Sequence, residues 1–266
     1  METRFHYGSW LILRRPEVMF CVLVFASLYF LVAIGPLNCQ YSRAFPKATL
    51  KQAAAASAAF VVLYLTMGSP LTIIAQKFLF SGYVLQMLLM TQVLPILILM
   101  AVPPEFVSRV YTLKPLHRIF KFACRPVIAP VVYNVMASAF LLPGNLDLAL
   151  TSNFVHFFEQ TGLFVAALFL WCPLSQSASF GSRLSPSGQL LYLVFSANFM
   201  MPIAVFLFLS QDPWYHVYRE NPAWFGITPL GDQQLAAVLM ILGMALIYGL
   251  RAIPPFLSYK DTNWYK

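Results

Sequence analysis

Apolar residues in this chain come in long uninterrupted runs, with most polar residues confined to the gaps between them. Seven runs stand out, at 18–34, 52–67, 80–102, 127–142, 154–171, 189–209 and 233–250. A helix needs about 20 apolar residues to cross a hydrocarbon core about 30 Å thick. Each run is therefore read as a helix crossing a bilayer, including the short second one, whose AAAASAAF stretch suits close packing against neighbours. Period-two alternation is missing, which argues against a closed barrel of strands. The pattern predicts an all-α, polytopic integral membrane protein, a seven-transmembrane-helix bundle forming one domain over residues 1–266. Pro95 and Pro202 fall inside runs and are expected to kink their helices.

Composition agrees: 60% of the residues are hydrophobic and only 10% are charged, far fewer than in a soluble domain. The stretch after Arg14 and Arg15 resembles a signal peptide, but no small-residue cleavage site follows, so a retained helix is expected. Cys21, Cys39, Cys124 and Cys172 show no CxxC spacing and read as small apolar packing residues.

Charge sets the direction of the bundle. The net charge is +8, and the connection after the third run holds Arg109, Lys114, Arg118, Lys121 and Arg125. With seven helices, that connection shares a side with Arg43, Lys47, Lys51, Arg183, Arg251, Lys260 and Lys266. The other side holds Arg4, Arg14, Arg15, Lys77 and Arg219. Basic residues collect on the cytoplasmic side, so the N-terminus is expected outside and the C-terminus in the cytoplasm. The alternation of basic and apolar residues around Arg109–Arg125 fits an interfacial segment facing lipid headgroups, not a nucleic acid.

Polar residues within or at the ends of the runs gather at the outer end of this bundle. Tyr83 and Gln86 lie near the start of the third run, His156, Glu159 and Gln160 open the fifth, and Asp232, Gln233 and Gln234 open the seventh. Ionisable groups at membrane depth are costly and mark candidate functional sites. His156, Glu159 and Gln160 share one helical face, as a ligand or proton-handling patch would, or as residues serving a helix start and its neighbours would. Asp232 reads as the N-cap of its own helix. His216, with Trp214 and Tyr215, suits a membrane interface. Thioethers are soft ligands for monovalent copper, and Met87 and Met240 are placed to approach His156, although core filling is the plainer reading of each. No phosphate loop, nucleophile motif, zinc motif or paired carboxylates occur, so an enzyme is not expected.

Four segments carry a family resemblance: YVLQMLLMTQVLPILILMAVP (83–103), PVIAPVVYNVMASAFLLP (126–143), NFVHFFEQTGLFVAALFLWCPL (153–174) and DQQLAAVLM (232–240). In order and spacing the chain resembles the CtaG-type cytochrome c oxidase assembly factors. The resemblance implies a seven-helix protein of the bacterial cell membrane that assists maturation of a haem-copper oxidase, through copper delivery at the extracytoplasmic face. Implied partners are the lipid bilayer, oxidase subunits or a copper chaperone, and no nucleic acid. The family pattern places histidines where this chain has Tyr83, Met87, Leu141 and Gln160, and it places Gly and Trp at Ala237 and Ile241. His156, Asp232, Gln233 and Met240 persist. Two readings remain open. Either His156, Met87 and Met240 hold copper in an assembly factor, or a divergent relative binds no metal and serves as a membrane scaffold or accessory subunit.

Overall fold

The computed structural model describes residues 16–33, 48–104, 114–175, 184–219 and 226–263. No strand occurs among the described residues. Helix α1 spans Pro16–Ala33 and α2 spans Leu50–Met67. Thr49 and Gln52 form a reciprocal capping box at the start of α2, with the Gln52 amide on Thr49 Oγ1 at 3.3 Å and the Thr49 amide on Gln52 Oε1 at 2.8 Å. The alanine stretch does what its composition suggests, since Ala55, Ala56 and Ala59 are buried and α2 packs closely on a later helix. Ser69 and Pro70 start a short helix, α3, Pro70–Lys77.

The third apolar run is one span built from three pieces: α4 (Phe80–Leu88), a π turn (Leu89–Val93) and α5 (Leu94–Ala101). Pro95 accounts for the break, because proline has no N–H for the carbonyl of residue 91 and its ring crowds that carbonyl. Helix α2 lies along α5, and the Tyr29 hydroxyl ties α1 to it through the Ala101 carbonyl at 3.0 Å.

Helix α6 (Lys114–Ala123) precedes α7 (Ile128–Phe140), which turns through 75° into α8 (Asn145–Thr151). Pro143 stops the helix and Gly144, at φ +81, supplies the left-handed residue of the turn. Helix α9 (Asn153–Trp171) ends in a 3₁₀ turn, Cys172–Leu174. The sixth run divides into α10 (Pro186–Asn198) and α11 (Met201–Leu209), with Pro202 in the first turn of the second piece. After the short α12 (His216–Arg219), the 35-residue α13 (Pro229–Asn263) closes the chain.

Five helical segments are long and apolar enough to cross a membrane: Leu50–Met67, Phe80–Ala101, Asn153–Leu174, Pro186–Leu209 and Pro229–Ser258. Counting the bent α7–α8 pair gives six. Each of the seven apolar runs falls on a helix, but two fall short of the expected length. The apolar part of α1 is only Glu17–Leu31, and the 127–142 run forms only the 13-residue α7 before the Pro143–Gly144 turn. Helix α13 packs along α4, α10 and α11, while α9 packs on α7. Their shared core holds Tyr83, Met87, Tyr133, Trp171 and Met240. Of the charges used to orient the bundle, Arg4, Arg14, Arg15, Arg43, Lys47, Arg109, Arg183 and Lys266 lie outside the described residues.

Candidate functional site

Asp232 lies one turn inside α13, not at its cap, because Pro229 starts that helix and the Asp232 amide already bonds to the Thr228 carbonyl at 2.8 Å. The expectation that it caps its own helix is therefore corrected. Its carboxylate serves a different helix. Leu79, the residue before α4, provides no side-chain cap. Asp232 Oδ2 accepts from the Phe80 amide at 2.6 Å, and Oδ1 accepts from the Ser81 amide at 3.2 Å and from the Ser81 hydroxyl. A carboxylate here meets both the orphan amides and the positive end of the α4 dipole. Gln233 joins two further elements, accepting from the Trp214 amide at 2.7 Å and donating to the Leu207 carbonyl at 3.1 Å.

One helical turn of α9 carries the second half of the site. Glu159 is fully buried. It accepts from the Tyr83 hydroxyl of α4, and its Oε2 is 3.2 Å from His156 Nδ1. The other ring nitrogen of His156, Nε2, is 2.8 Å from Gln76 Nε2 on α3. An amide nitrogen only donates, so His156 Nε2 accepts and Nδ1 carries the proton given to Glu159. Turning the Gln76 amide about would place protons on both ring nitrogens; neither arrangement leaves a free imidazole lone pair. Gln76, His156, Glu159 and Tyr83 thus form one chain of hydrogen bonds across three helices. Gln160 is half-buried beside it.

Gln86, one turn beyond Tyr83, points elsewhere. Its Nε2 donates to the Thr66 carbonyl at 2.6 Å, and the Thr72 hydroxyl bonds the same carbonyl at 2.9 Å. Met87 and Met240 are both buried in the apolar core. The structure thus brings Tyr83 and His156 each into direct contact with Glu159, and it places Asp232 and Gln233 on separate duties. No group of three or more His, Cys, Asp or Glu residues suited to a metal ion occurs among the described residues.

Residues 213–219 fold over this end of the bundle. Tyr215 and Tyr218 are buried, correcting the expectation that Tyr215 lies at a lipid interface. Tyr215 donates to the Leu141 carbonyl at 2.7 Å and Tyr218 to the Ala75 carbonyl at 2.5 Å. The Phe80 ring meets Tyr83, Tyr215 and Tyr218 at 6.1, 4.5 and 5.8 Å between centroids. Asp147 holds the loop by accepting from the His216 and Val217 amides at 3.2 and 3.3 Å. Burial is the first cause pushing both loop phenols above the ordinary tyrosine value of 10.0.

Three members of the site were missed in the sequence. Gln76 sits in a stretch read as a connection, although Ser69-Pro70 is a helix-start signal. Ser81 and Tyr218 left no distinguishing mark.

Comparison with known proteins gives one match. Residues 27–258 match the family model of the cytochrome c oxidase caa3 assembly factors. No curated protein and no solved structure matches the chain.

Proposed function

The chain belongs to the cytochrome c oxidase caa3 assembly factor family, and from that premise we propose that it assists maturation of a haem-copper oxidase in the bacterial cell membrane. In this reading the seven apolar runs make seven passes. The N-terminus lies outside and the C-terminus in the cytoplasm, and the Asp232 and Glu159 clusters face the extracytoplasmic side. The match over residues 27–258 carries the assembly role. The basic connections support the orientation, since Lys and Arg collect in cytoplasmic loops.

The residues fit a contact or scaffold role better than a resting copper site at His156, Met87 and Met240. Both ring nitrogens of His156 are engaged, one with Gln76 and one with Glu159. Met87 and Met240 are only 2% and 0% exposed. One committed imidazole and two core thioethers form a weak donor set even for a soft ion. Copper taken as cargo at this place would have to displace Gln76 from His156 first. The site therefore acts through its shape: a polar end of the bundle, fixed by cross-helix bonds and covered by the 213–219 loop, against which an oxidase subunit docks.

Deleting the gene tests the assembly role. Oxidase activity is expected to fall while oxidase subunits are still made, and unchanged oxidase spectra and activity would count against the role. Metal analysis of protein purified anaerobically with monovalent copper tests the site. His156→Ala is expected to leave the copper content unchanged. Copper lost in His156→Ala and weakened in Met87→Leu would favour the carrier reading instead. A reporter fused after Lys266 should report cytoplasm.

A further inference from the structure

Arg251 is the first charged residue that α13 meets after Asp232. At about 1.5 Å per residue the two lie about 28 Å apart along the helix, close to the hydrocarbon thickness of about 30 Å. Asp232 thus marks one edge of the apolar layer and Arg251 the other, the depth at which lipid phosphates begin. Arg251 is half-buried, and its Nη2 donates to the Leu174 carbonyl at 3.3 Å. One turn earlier, Tyr248 sets its ring against Trp171, with 5.1 Å between centroids. The contacts step together along both chains, 248 on 171 and 251 on 174, so α13 and the end of α9 run side by side to this edge. The charge held there is unmatched. No Asp or Glu pairs with Arg251 among the described residues. Its buried Nε has no partner there either, nor has the buried Tyr248 hydroxyl. A cation at membrane depth is costly without a partner, and a guanidinium N–H can only donate. The missing partner is therefore an acceptor, and a negative one.

We infer that Arg251 anchors the phosphate of an anionic phospholipid at this edge of the bundle. Guanidinium suits phosphate because two parallel N–H groups meet two oxygens, and the unfilled Nε is one arm of such a fork. Basic side chains held between membrane helices take lipid headgroups in this way. The neighbouring surface favours a lipid over a dissolved phosphate. Leu250, Ile253 and Leu257 share one face of α13 beside the guanidinium and are each more than half exposed. An acyl chain covers that face, whereas a dissolved anion gains nothing from it. Headgroup charge separates the lipid classes. Phosphocholine carries a cation that competes for its own phosphate, while phosphoglycerol brings none and leaves Arg251 as the counter-charge. This site does not depend on the assembly role and lies at the end of the bundle away from Asp232.

The test uses the full chain, stripped of lipid in detergent. Phosphatidylglycerol, phosphatidylcholine and inorganic phosphate are added in separate arms. Native mass spectrometry counts the lipid retained, and thermal unfolding is followed in parallel. One tightly held phosphatidylglycerol per chain is expected, with a rise in Tm. Phosphatidylcholine should bind at least about tenfold more weakly, and Arg251→Gln should weaken phosphatidylglycerol binding by at least about tenfold, the size of one hydrogen bond to a charged group. Arg251→Lys keeps the charge but not the fork and should fall between. Inorganic phosphate should leave the Tm unchanged. Equal retention in Arg251→Gln and the wild type would overturn the proposal, as would wild-type protein that holds phosphatidylcholine equally well. Protection by inorganic phosphate equal to that by lipid would also overturn it, making this a site for a dissolved anion. The wild-type arms decide the matter even where a variant does not fold.

Discussion

Trp171 donates its indole N–H to the main-chain carbonyl of Thr91 at 3.2 Å, joining the end of α9 to the π turn between α4 and α5. That carbonyl is the one Pro95 leaves without a helical partner. In hydrocarbon no water takes up the lost bond, so a neighbouring helix has to. The Thr91 hydroxyl is similarly engaged, at 2.7 Å from the Met87 carbonyl and 2.9 Å from the Tyr133 hydroxyl.

This pairing predicts coupling between Trp171 and Pro95. Trp171→Phe keeps most of the ring but strands the carbonyl, and should lower stability by about 1–3 kcal/mol. In a Pro95→Ala background the new N–H at residue 95 reaches the same carbonyl, and the loss on Trp171→Phe should shrink. A double-mutant cycle by thermal unfolding in detergent measures the coupling. Strict additivity of the two substitutions would sink the explanation.

The α4 cap is tested at Asp232. Asp232→Ala removes the acceptor for the Phe80 and Ser81 amides and should destabilise the protein by about 1–2 kcal/mol, as lost helix caps do. Ser81→Ala keeps both amide bonds and should cost less. Equal losses in the two variants would place the effect elsewhere.

Glu159 is expected to be the most sensitive position in the site. Glu159→Leu leaves the Tyr83 hydroxyl and His156 Nδ1 buried without an acceptor, at about 1–3 kcal/mol for each stranded group. Glu159→Gln retains an acceptor oxygen and should recover part of that loss. Gln76→Leu should change the imidazole resonances of His156, followed by NMR in detergent, because it frees Nε2. No change in those resonances would show that the Gln76 bond does not form.

Alkaline pH should loosen the covering loop. Tyr215 and Tyr218 are held above the ordinary tyrosine value by burial first, so the folded chain keeps their protons more tightly than the unfolded chain. Their contribution is present in full below about pH 10 and is lost as pH rises through the folded values. Thermal stability should therefore be insensitive to these groups at neutral pH and fall above about pH 10, with less of a fall in Tyr215→Phe. A phenolate absorbance titration that finds both groups ionising with the exposed tyrosines would contradict this.

Helix placement was legible because the bilayer imposes a length that the apolar runs record directly. Breaks within runs were less so. Pro95 announced a kink, but its form, a π turn with Trp171 as the replacement donor, depends on a residue 80 positions beyond Thr91. Asp232 shows the same limit at the site. Its place before an apolar stretch suggested a local cap, and only the packing of α13 on α4 reveals that it caps another helix. The contact of His156 with Glu159 follows from helical spacing, whereas Gln76 and Tyr83 arrive from elements whose approach no local pattern records.

The reach of Asp232 also has a consequence for biogenesis. Phe80 and its capping carboxylate are separated by 152 residues, which a ribosome takes about 8–30 s to add at about 5–20 residues per second. Throughout that interval the Phe80 and Ser81 amides at the start of α4 lack their carboxylate cap. The last span to be made is the one that seals it. The polar end of the bundle is therefore complete only once α13 has been made.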